Sequence, residues 1–297
     1  MTYRNLFSII IPTYNRADDL QRCLTSLVNQ TFKNFEVLVC DDGSTDHTKE
    51  IAGKFEDQLS LKYFYIENTG GPARPRNVGL QYATSDWVCF LDSDDWYDER
   101  RLEVLSNMDL TKFDFLYHNL KVVQNGKISR TMTSRNLSKK DAYFDLLFNL
   151  NAIPTSSTCI RKSFLVSANG FSEKKEIVGL EDFDLWIRIA KLNARFMYLP
   201  RDLGFYFIGT DNLTLHDERQ ISRFKSLYEN YINKESNIFF KYKINAALNY
   251  QIGWILVNKS DCLKAYLPLF YSFVFGSIPI KLRSINMFLK SLIKLKN

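Results

Sequence analysis

The chain has 297 residues, of which 45% are hydrophobic and 24% charged, and its net charge is +6 at pH 7. This composition excludes a disordered or fibrous protein and suits one large α/β domain or two modest ones. The positive charge favours an anionic partner such as a nucleotide, a polyphosphate or a phospholipid surface. Nucleic acid is not among the partners that we expect.

The five cysteines are widely spaced and form no CxxC pair. We therefore expect small buried hydrophobes in a reducing compartment, not disulfides or a zinc site. The first residues contain a short apolar run without a small-residue cleavage site, which predicts a strand and no signal peptide. No stretch supplies about 20 uncharged apolar residues, so no spanning helix is expected.

Strand and helix patterns alternate over the first hundred residues. Apolar runs with helical spacings between them predict strand, helix, strand, helix, strand, helix and strand, in this order: 6–11, 20–28, 35–40, 51–55, 61–66, 74–83 and 87–91. This alternation predicts an α/β fold with a mainly parallel sheet and helices on both faces.

The pattern changes beyond residue 100. Asn125 and Gly126 separate two strand-like runs, which predicts a hairpin. The elements expected after it are a helix at 138–149 with Ser138 as its N-cap, a helix at 182–192, strands at 195–199 and 204–208, and helices from about 217 onward.

Polar segments follow all four predicted parallel strands, at 12–16, 41–46, 68–72 and 92–95. Ligands of open parallel sheets bind beyond the carboxyl ends of the strands, so these segments should share one edge. Helix capping and turn formation are the plain alternatives for each acid or glycine taken alone. Asp92, Asp94 and Asp95 are close enough to raise one another's pKa values, so a cation is expected among them.

Two further segments could bind or react. No GxGxxG or GxxxxGK[ST] motif is present, which argues against dinucleotide and P-loop sites. Residues 70–77 combine glycines, Arg74, Arg76 and a helix start, which suits a diphosphate, although a solvated surface loop is the alternative. At 179–186 the acids could simply stabilise a helix N-terminus. Alternatively, Trp186 shares a helix face with Asp182 and could help to tune that carboxylate as a base.

Five segments in order, SIIIPTYNR, VLVCDDGSTD, GGPARPRNVGL, FLDSDD and EDFDLWIR, resemble the family-2 glycosyltransferases of the GT-A fold over roughly residues 6–215. The resemblance implies a Rossmann-like GT-A domain at 1–215. The residues beyond it predict a second region at 216–297 that is helical and membrane-proximal. It also implies an inverting transferase that moves a hexose or N-acetylhexosamine from a nucleotide diphosphate sugar, usually a UDP-sugar. The acceptor, by analogy alone, is a lipid-linked saccharide in bacterial O-antigen or capsule synthesis.

The resemblance also implies roles for individual residues. The nucleotide-sugar-binding residues would be Pro12, Thr13, Tyr14, Asn15, Asp41, Asp42, Arg76, Asn77, Asp92 and Ser93. Asp94 would bind Mg²⁺ or Mn²⁺ directly with Asp92 nearby, and Asp182 would be the general base, with Glu181 in support. Many relatives carry Arg-x-His after the last strands, but this chain has Phe207 and Gly209 there. His216 is a substitute if its loop folds back; otherwise the metal has fewer protein ligands.

Residues 262–297 contain no acid. From 281 onward, apolar residues fall on one side of a helical wheel and basic residues cluster opposite. This pattern predicts peripheral contact with an anionic lipid surface on the cytoplasmic, inner face of the cell membrane. An ordinary helix packed on the catalytic domain is the alternative.

Two other functions fit parts of the sequence. A sugar nucleotidyltransferase also combines an α/β sheet with a metal-bound diphosphate, but it would release pyrophosphate and has no need of the EDFDLW segment. A non-catalytic nucleotide-sugar-binding or scaffold protein is the third hypothesis, because of Gly209. UDP release measured with and without an acceptor lipid distinguishes the three.

Overall fold

The computed structural model describes residues 5–138, 140–209 and 218–296. The chain divides into two compact units, each built from three segments. Unit 1 comprises Met1–Lys140, Ala152–Glu173 and Arg188–Asp211, and unit 2 comprises Asp141–Asn151, Lys174–Ile187 and Asn212–Asn297. The predicted boundary at 215/216 lies outside the described residues, and that division of the chain stays a prediction.

Unit 1 holds a single sheet, to which the described residues contribute nine strands. They are β1 (Phe7–Thr13), β2 (Phe35–Asp41), β3 (Leu61–Tyr65), β4 (Trp87–Phe90), β5 (Trp96–Tyr97), β6 (Phe115–Gln124), β7 (Lys127–Met132), β8 (Cys159–Arg161) and β9 (Phe196–Ile208). Their order is β3-β2-β1-β4-β8-β6-β9-β5, with β7 also paired to β6. The neighbours β3, β2, β1 and β4 are parallel, as the alternating sequence pattern predicted.

The helices of unit 1 cover this sheet because its central strands are apolar on both faces. These helices are α1 (Ala17–Val28), α2 (Thr48–Gly53), α3 (Ala73–Tyr82), α4 (Arg101–Ser106) and α6 (Lys162–Ser167). All residues of β1 and β2 are buried, and α1 packs Leu20, Leu24 and Leu27 into the same core. A Cβ added to Gly79 of α3 would lie 2.5 Å from Ile10 Cγ2, so glycine permits the close approach of this helix.

The hairpin prediction is confirmed. Asn125 and Gly126 join β6 to β7 with φ angles of 52° and 72°, the left-handed pair that a two-residue hairpin turn requires. The prediction of two strands at 195–199 and 204–208 is wrong, because β9 runs through both. Its register with β6 jumps between Leu199 and Asp202, so Pro200 lies in a bulge, where a residue without an N–H is tolerated.

Unit 2 is helical. Its elements are α5 (Ala142–Asn149), α7 (Glu181–Lys191, which enters unit 1 at Arg188), α8 (Glu218–Lys234), α9 (Ile238–Asn258), α10 (Cys262–Phe275) and α11 (Ile278–Lys296). Ser138 is not the N-cap of α5. Asp141 takes that place and accepts a 3.0 Å hydrogen bond from the Phe144 amide. Among the described residues, no helix has the length and apolar character needed to cross a bilayer.

Candidate functional site

The loops that follow β1 and β2 are locked together by Asn15. Its backbone amide donates to Ser44 Oγ at 2.8 Å, and its Oδ1 accepts from the Thr45 amide at 2.7 Å. Asn15 has a φ of 49°, a conformation that asparagine tolerates better than most residues. Asn15 therefore shapes the edge of the sheet at which the predicted ligand site lies.

Asp41 and Asp42 are both buried at this edge, but their carboxylates are used differently. Asp41 accepts from the Ser44 amide on Oδ1, at 2.8 Å, and from the Tyr63 hydroxyl on Oδ2. Asp42 receives the Thr69 amide and hydroxyl on Oδ1, at 2.9 and 2.8 Å. Within the described part of the chain, Oδ2 of Asp42 has no donor, so Asp42 suits a ligand N–H better than Asp41 does.

Thr13 supplies a second unused polar atom. It is the last residue of β1, and its carbonyl accepts from the Asp42 amide at 2.9 Å. Its buried Oγ1 has no hydrogen-bond partner among the residues that the structure describes. Such an atom is costly to bury unless a ligand or water completes it. The neighbouring Pro12 is buried, whereas Tyr14 is 47% exposed.

The three carboxylates after β4 have separate environments. Asp95 is fully enclosed and accepts from Ser156 Oγ at 2.5 Å and from the Phe207 amide at 2.9 Å, which makes it a structural anchor. Asp92 pairs with Arg76 at 2.6 Å, and Asp94 pairs with Arg16 at 2.9 Å. Ser93 between them is buried. The cations that the structure places beside Asp92 and Asp94 are thus arginines.

Burial, followed by the charge of Asp92, raises the pKa of Asp94 to about 6, although Arg16 opposes the shift. Burial and the charges of Asp94 and Asp92 likewise raise the pKa of Asp95 well above its ordinary value. A divalent cation would relieve this crowding of negative charge, and carboxylate oxygens are ligands that Mg²⁺ and Mn²⁺ accept. No group of three acidic, histidine or cysteine side chains suited to a metal occurs in the described ranges. A metal at Asp92 and Asp94 would therefore need further ligands from bound substrate or water.

Arg76 and Asn77 are neighbours in the first turns of α3 but have different contacts. The Arg76 guanidinium is buried, with its centre 5.1 Å from the ring centroid of Phe171. The Asn77 side chain donates to the Phe171 carbonyl at 2.9 Å and to Glu173 Oε1 at 2.8 Å, and it accepts from the Phe171 amide at 2.8 Å. Asn77 therefore clamps the segment at 171–173, and its predicted contact with the donor stays a prediction.

Sequence reasoning missed Arg16 and Arg22. Arg22 donates to the Asp94 carbonyl at 2.8 Å and lies between the rings of Trp96 and Phe207, at 4.6 and 4.5 Å. Both arginines pair with Asp19, and their spacing with it on α1 was the signal available in the sequence. The ring of Phe207, at the position where the resemblance implied an arginine, thus packs against a cation from another element. His216 lies outside the described residues.

The second acidic cluster belongs to unit 2. Glu181 is buried and accepts from the Gly179 amide at 2.5 Å, while Asp184 is buried and accepts from the Tyr231 hydroxyl at 2.7 Å. Asp182 is half-buried, and its Oδ1 accepts from the Phe183 amide at 2.6 Å. Of the three acids, Asp182 is thus the most accessible, and this suits its predicted role as the base. The burial of Glu181 does not suit the supporting role predicted for it.

Comparison with known proteins gives consistent results. The chain is 35% identical over 206 residues to the poly(ribitol-phosphate) beta-N-acetylglucosaminyltransferase TarS of Staphylococcus aureus, a match that covers 68% of this chain and 35% of TarS. It is 26% identical over 293 residues to the GalNAc(5)-diNAcBac-PP-undecaprenol beta-1,3-glucosyltransferase of Campylobacter jejuni, which covers 92% of this chain and 93% of that protein. The chain therefore spans about a third of the length of TarS.

The fold is also that of a solved relative. The crystal structure of S. aureus TarS 1–349 in complex with UDP-GlcNAc superposes with a TM-score of 0.68 and 22% identity, covering 98% of this chain and 91% of that one. This likeness confirms the predicted α/β fold of the GT-A type. The family model of Glycosyl transferase family 2 matches residues 8–167, more than half of the sequence. The chain belongs to glycosyl transferase family 2.

Proposed function

We propose that this chain is an inverting glycosyltransferase that moves a hexose or N-acetylhexosamine from a UDP-sugar to a hydroxyl group of a lipid-linked saccharide. The family membership supports transfer of a sugar. The name of the Campylobacter relative specifies an undecaprenol-linked acceptor, and TarS has been crystallised with UDP-GlcNAc. We propose bacterial surface polysaccharide synthesis at the inner face of the cell membrane as the setting.

One observation carries the donor assignment: two unused polar atoms, Thr13 Oγ1 and Asp42 Oδ2, lie at the same sheet edge as Asp92 and Asp94. The Asp42 carboxylate offers an acceptor for the imide N–H of uracil. Thr13 Oγ1 can bond a polar atom of the nucleoside. A base recognised by hydrogen bonds at one end and a diphosphate at the other fits this arrangement of groups.

Asp92 and Asp94 are the proposed ligands of Mn²⁺ or Mg²⁺. When bound, a divalent ion supplies positive charge that stabilises the diphosphate as it leaves. Arg16 and Arg76, which pair with the two carboxylates in the structure, are also proposed to bind the diphosphate. With a pKa of about 6, the Asp94 carboxyl is mostly ionised at neutral pH and can act as a ligand.

Asp182 is the proposed general base. In a single displacement, the acceptor hydroxyl attacks the anomeric carbon on the side opposite the diphosphate and must lose its proton there. The half-buried Asp182 carboxylate is the proposed proton acceptor, because Glu181 and Asp184 are buried and so less accessible to an acceptor. The new bond joins the acceptor oxygen to the anomeric carbon as the bond from that carbon to the diphosphate breaks. The proton passes to Asp182, and UDP leaves with the electrons of the broken bond.

The test is UDP release from a panel of UDP-sugars, with and without an undecaprenyl-linked acceptor, and with Mn²⁺, Mg²⁺ or EDTA. We expect acceptor-stimulated UDP release that EDTA abolishes. Asp94→Asn should abolish it as well, whereas Asp109→Asn, an exposed acid of the same unit, should not. Release of pyrophosphate from a nucleoside triphosphate would indicate a nucleotidyltransferase instead. Sugar binding without any release would indicate a non-catalytic protein.

A further inference from the structure

The last two helices of unit 2 expose an unusual amount of apolar surface. Of the 21 large hydrophobic side chains exposed in the described residues, 12 lie on α10 and α11, although these helices form a small part of the chain. Leu267 is 78% exposed, Ile278 is 75% exposed and Leu263 is 72% exposed. A contiguous apolar patch on a protein surface commonly marks a protein or membrane contact.

On α11 the apolar side is turned away from the protein. The residues that pack inward are Ile280, Ser284, Met287 and Ser291, all buried. The exposed apolar residues are Ile278, Leu282, Ile285, Leu289, Leu292 and Ile293. At about 100° per residue the two sets lie on opposite sides of the helix. The inward side therefore carries two serines, and the apolar stripe is not used to pack α11 on its own chain.

The same arrangement recurs on α10. Its inward side carries Cys262, Ala265, Leu269 and Ser272, and its outward side carries Leu263, Leu267, Phe270 and Val274 at helical spacing. The two helices are joined directly: Ser272 Oγ and Ser284 Oγ are 2.7 Å apart, and the rings of Tyr266 and Phe288 stack at 5.9 Å. Two adjacent helices thus present apolar stripes outward, which we call the α10–α11 surface.

Basic residues outnumber acids at this surface. Lys264 of α10 is 75% exposed and pairs at 2.9 Å with Asp261, the residue before that helix, and Lys290 lies exposed on α11. No acidic residue occurs between 262 and 297. An apolar stripe with lysines at its borders matches the acyl chains and anionic headgroups of a bilayer at the same time.

We propose that the α10–α11 surface lies in the plane of an anionic membrane, with the outward leucines, isoleucines and phenylalanine inserted at the boundary between headgroups and acyl chains. The charge pattern favours lipid over a second copy of the chain, because a symmetric dimer through this surface would bring its lysines together. The inference rests on this surface alone and holds whether or not the proposed transfer reaction is correct.

The test is flotation of the purified 297-residue chain with vesicles of phosphatidylcholine alone or with 30% phosphatidylglycerol. We expect binding to the anionic vesicles that weakens with added salt. The double variant Leu267→Glu, Leu289→Glu should lose at least ~10-fold in vesicle affinity, because two charges would enter the apolar layer. The control pair Ile128→Glu, Val166→Glu changes side chains of unit 1 that are 58% and 56% exposed and should bind like the unmodified protein.

Melting temperature and UDP affinity, measured on each variant, separate this proposal from folding and from the donor site. All four substitutions are on the surface, so both quantities should be unchanged. No flotation of the unmodified protein, or equal flotation of the Leu267→Glu, Leu289→Glu variant, would overturn the proposal. So would a concentration-dependent dimer that only this variant loses, since the surface would then join two copies.

Discussion

His118 is a neutral histidine fixed between two hydrogen bonds in the core of unit 1. Its Nε2 accepts from Arg101 Nε at 2.8 Å, and its Nδ1 is 2.8 Å from the Asn119 carbonyl and donates to it. Arg101 is itself buried, donates to the Thr158 carbonyl at 2.9 Å and lies over the ring of Tyr97. Burial, together with the Arg101 charge, holds the pKa of His118 well below its ordinary value.

This histidine predicts a pH dependence of stability. In the unfolded chain the His118 imidazole has its ordinary pKa of about 6.5, so below that pH it binds a proton that it does not bind in the folded protein. The free energy of unfolding therefore falls with falling pH, by up to about 1.4 kcal/mol per pH unit. The contribution is fully present above pH 6.5 and is lost toward the folded pKa. The free energy of unfolding, measured with urea at several pH values between 7.5 and 5, should fall less steeply with falling pH for His118→Gln than for the exposed-site control His47→Gln. Equal slopes in the two variants would contradict the assignment.

Asp41 and Asp42 give a second prediction at this scale. Asp42→Asn keeps an acceptor for Thr69 but can replace the unused Oδ2 with a donor, so UDP affinity should fall by about 10- to 100-fold, as expected for a hydrogen bond to a charged group. Asp41→Asn should instead lower the melting temperature, because Tyr63 and Ser44 both bond to that carboxylate. Isothermal titration with UDP and thermal unfolding of both variants would check this. If Asp41→Asn instead lost UDP affinity and Asp42→Asn lost stability, the contact with uracil would belong to Asp41.

At the scale of elements, α3 depends on a single glycine for its distance from the sheet. An added Cβ at Gly79 would meet Ile10 Cγ2 at 2.5 Å and Cys40 Sγ at 3.1 Å, both inside the core. Gly79→Ala should therefore destabilise the protein by about 1–3 kcal/mol, the usual range for overpacking. Gly53→Ala, on α2 with nothing within 4 Å, should be neutral or stabilising by up to about 1 kcal/mol. Chemical denaturation gives both values, and a neutral Gly79→Ala would mean that α3 can move outward.

The sequence predicted the elements whose signal is local. The apolar runs of β1, β2 and β4, and the Asn125–Gly126 turn, need no distant partner to be recognised. The strands β5 and β8 have two and three residues, too few for any periodicity, so the order of the second half of the sheet was not predictable. The role of Arg16 beside Asp94 was missed for a different reason. Its spacing with Asp19 is visible in the sequence, but its pairing with Asp94 spans 78 residues and leaves no pattern in either segment.

The candidate site was predictable only in part. Motif spacing identified the strand ends that carry Asp41, Asp42, Asp92 and Asp94. It did not show that Asp95 is a buried anchor, or that Asn77 uses its amide to hold Phe171, because each bond joins residues that are far apart in sequence. The same holds for the helical tail: a wheel reveals that α11 is amphipathic, whereas the inward serines become evident only in the packed structure.

At the scale of the molecule, the two units are interleaved along the chain. Segments 141–151 and 174–187 belong to unit 2, together with the C-terminal helices. Phe144 contacts Phe240, and Asp184 accepts from Tyr231, so these segments complete their core with residues beyond 218. A fragment ending at residue 215 is therefore expected to leave residues 181–187 without the helices that cover them.

We expect such a 1–215 fragment to be digested quickly within 141–151 and 174–187, while the 297-residue chain resists under the same conditions. Limited proteolysis with mass spectrometry gives the cleavage sites, and amide hydrogen exchange of α7 gives an independent reading. Wild-type protection of 181–187 in the fragment would show that the N-terminal 215 residues form a domain of their own.

The position of β9 bears on how the protein is made. This strand pairs with β5, about a hundred residues earlier, and with β6 in parallel, so the sheet stays open until residue 208 has been synthesised and has docked. Until then, the side of β6 that β9 will cover presents unpaired backbone groups next to Phe115 and Leu116. Pairings this distant in sequence form slowly, and an open apolar edge invites association between chains. Slow, dilute refolding should consequently give a higher yield of native protein than rapid refolding at high concentration.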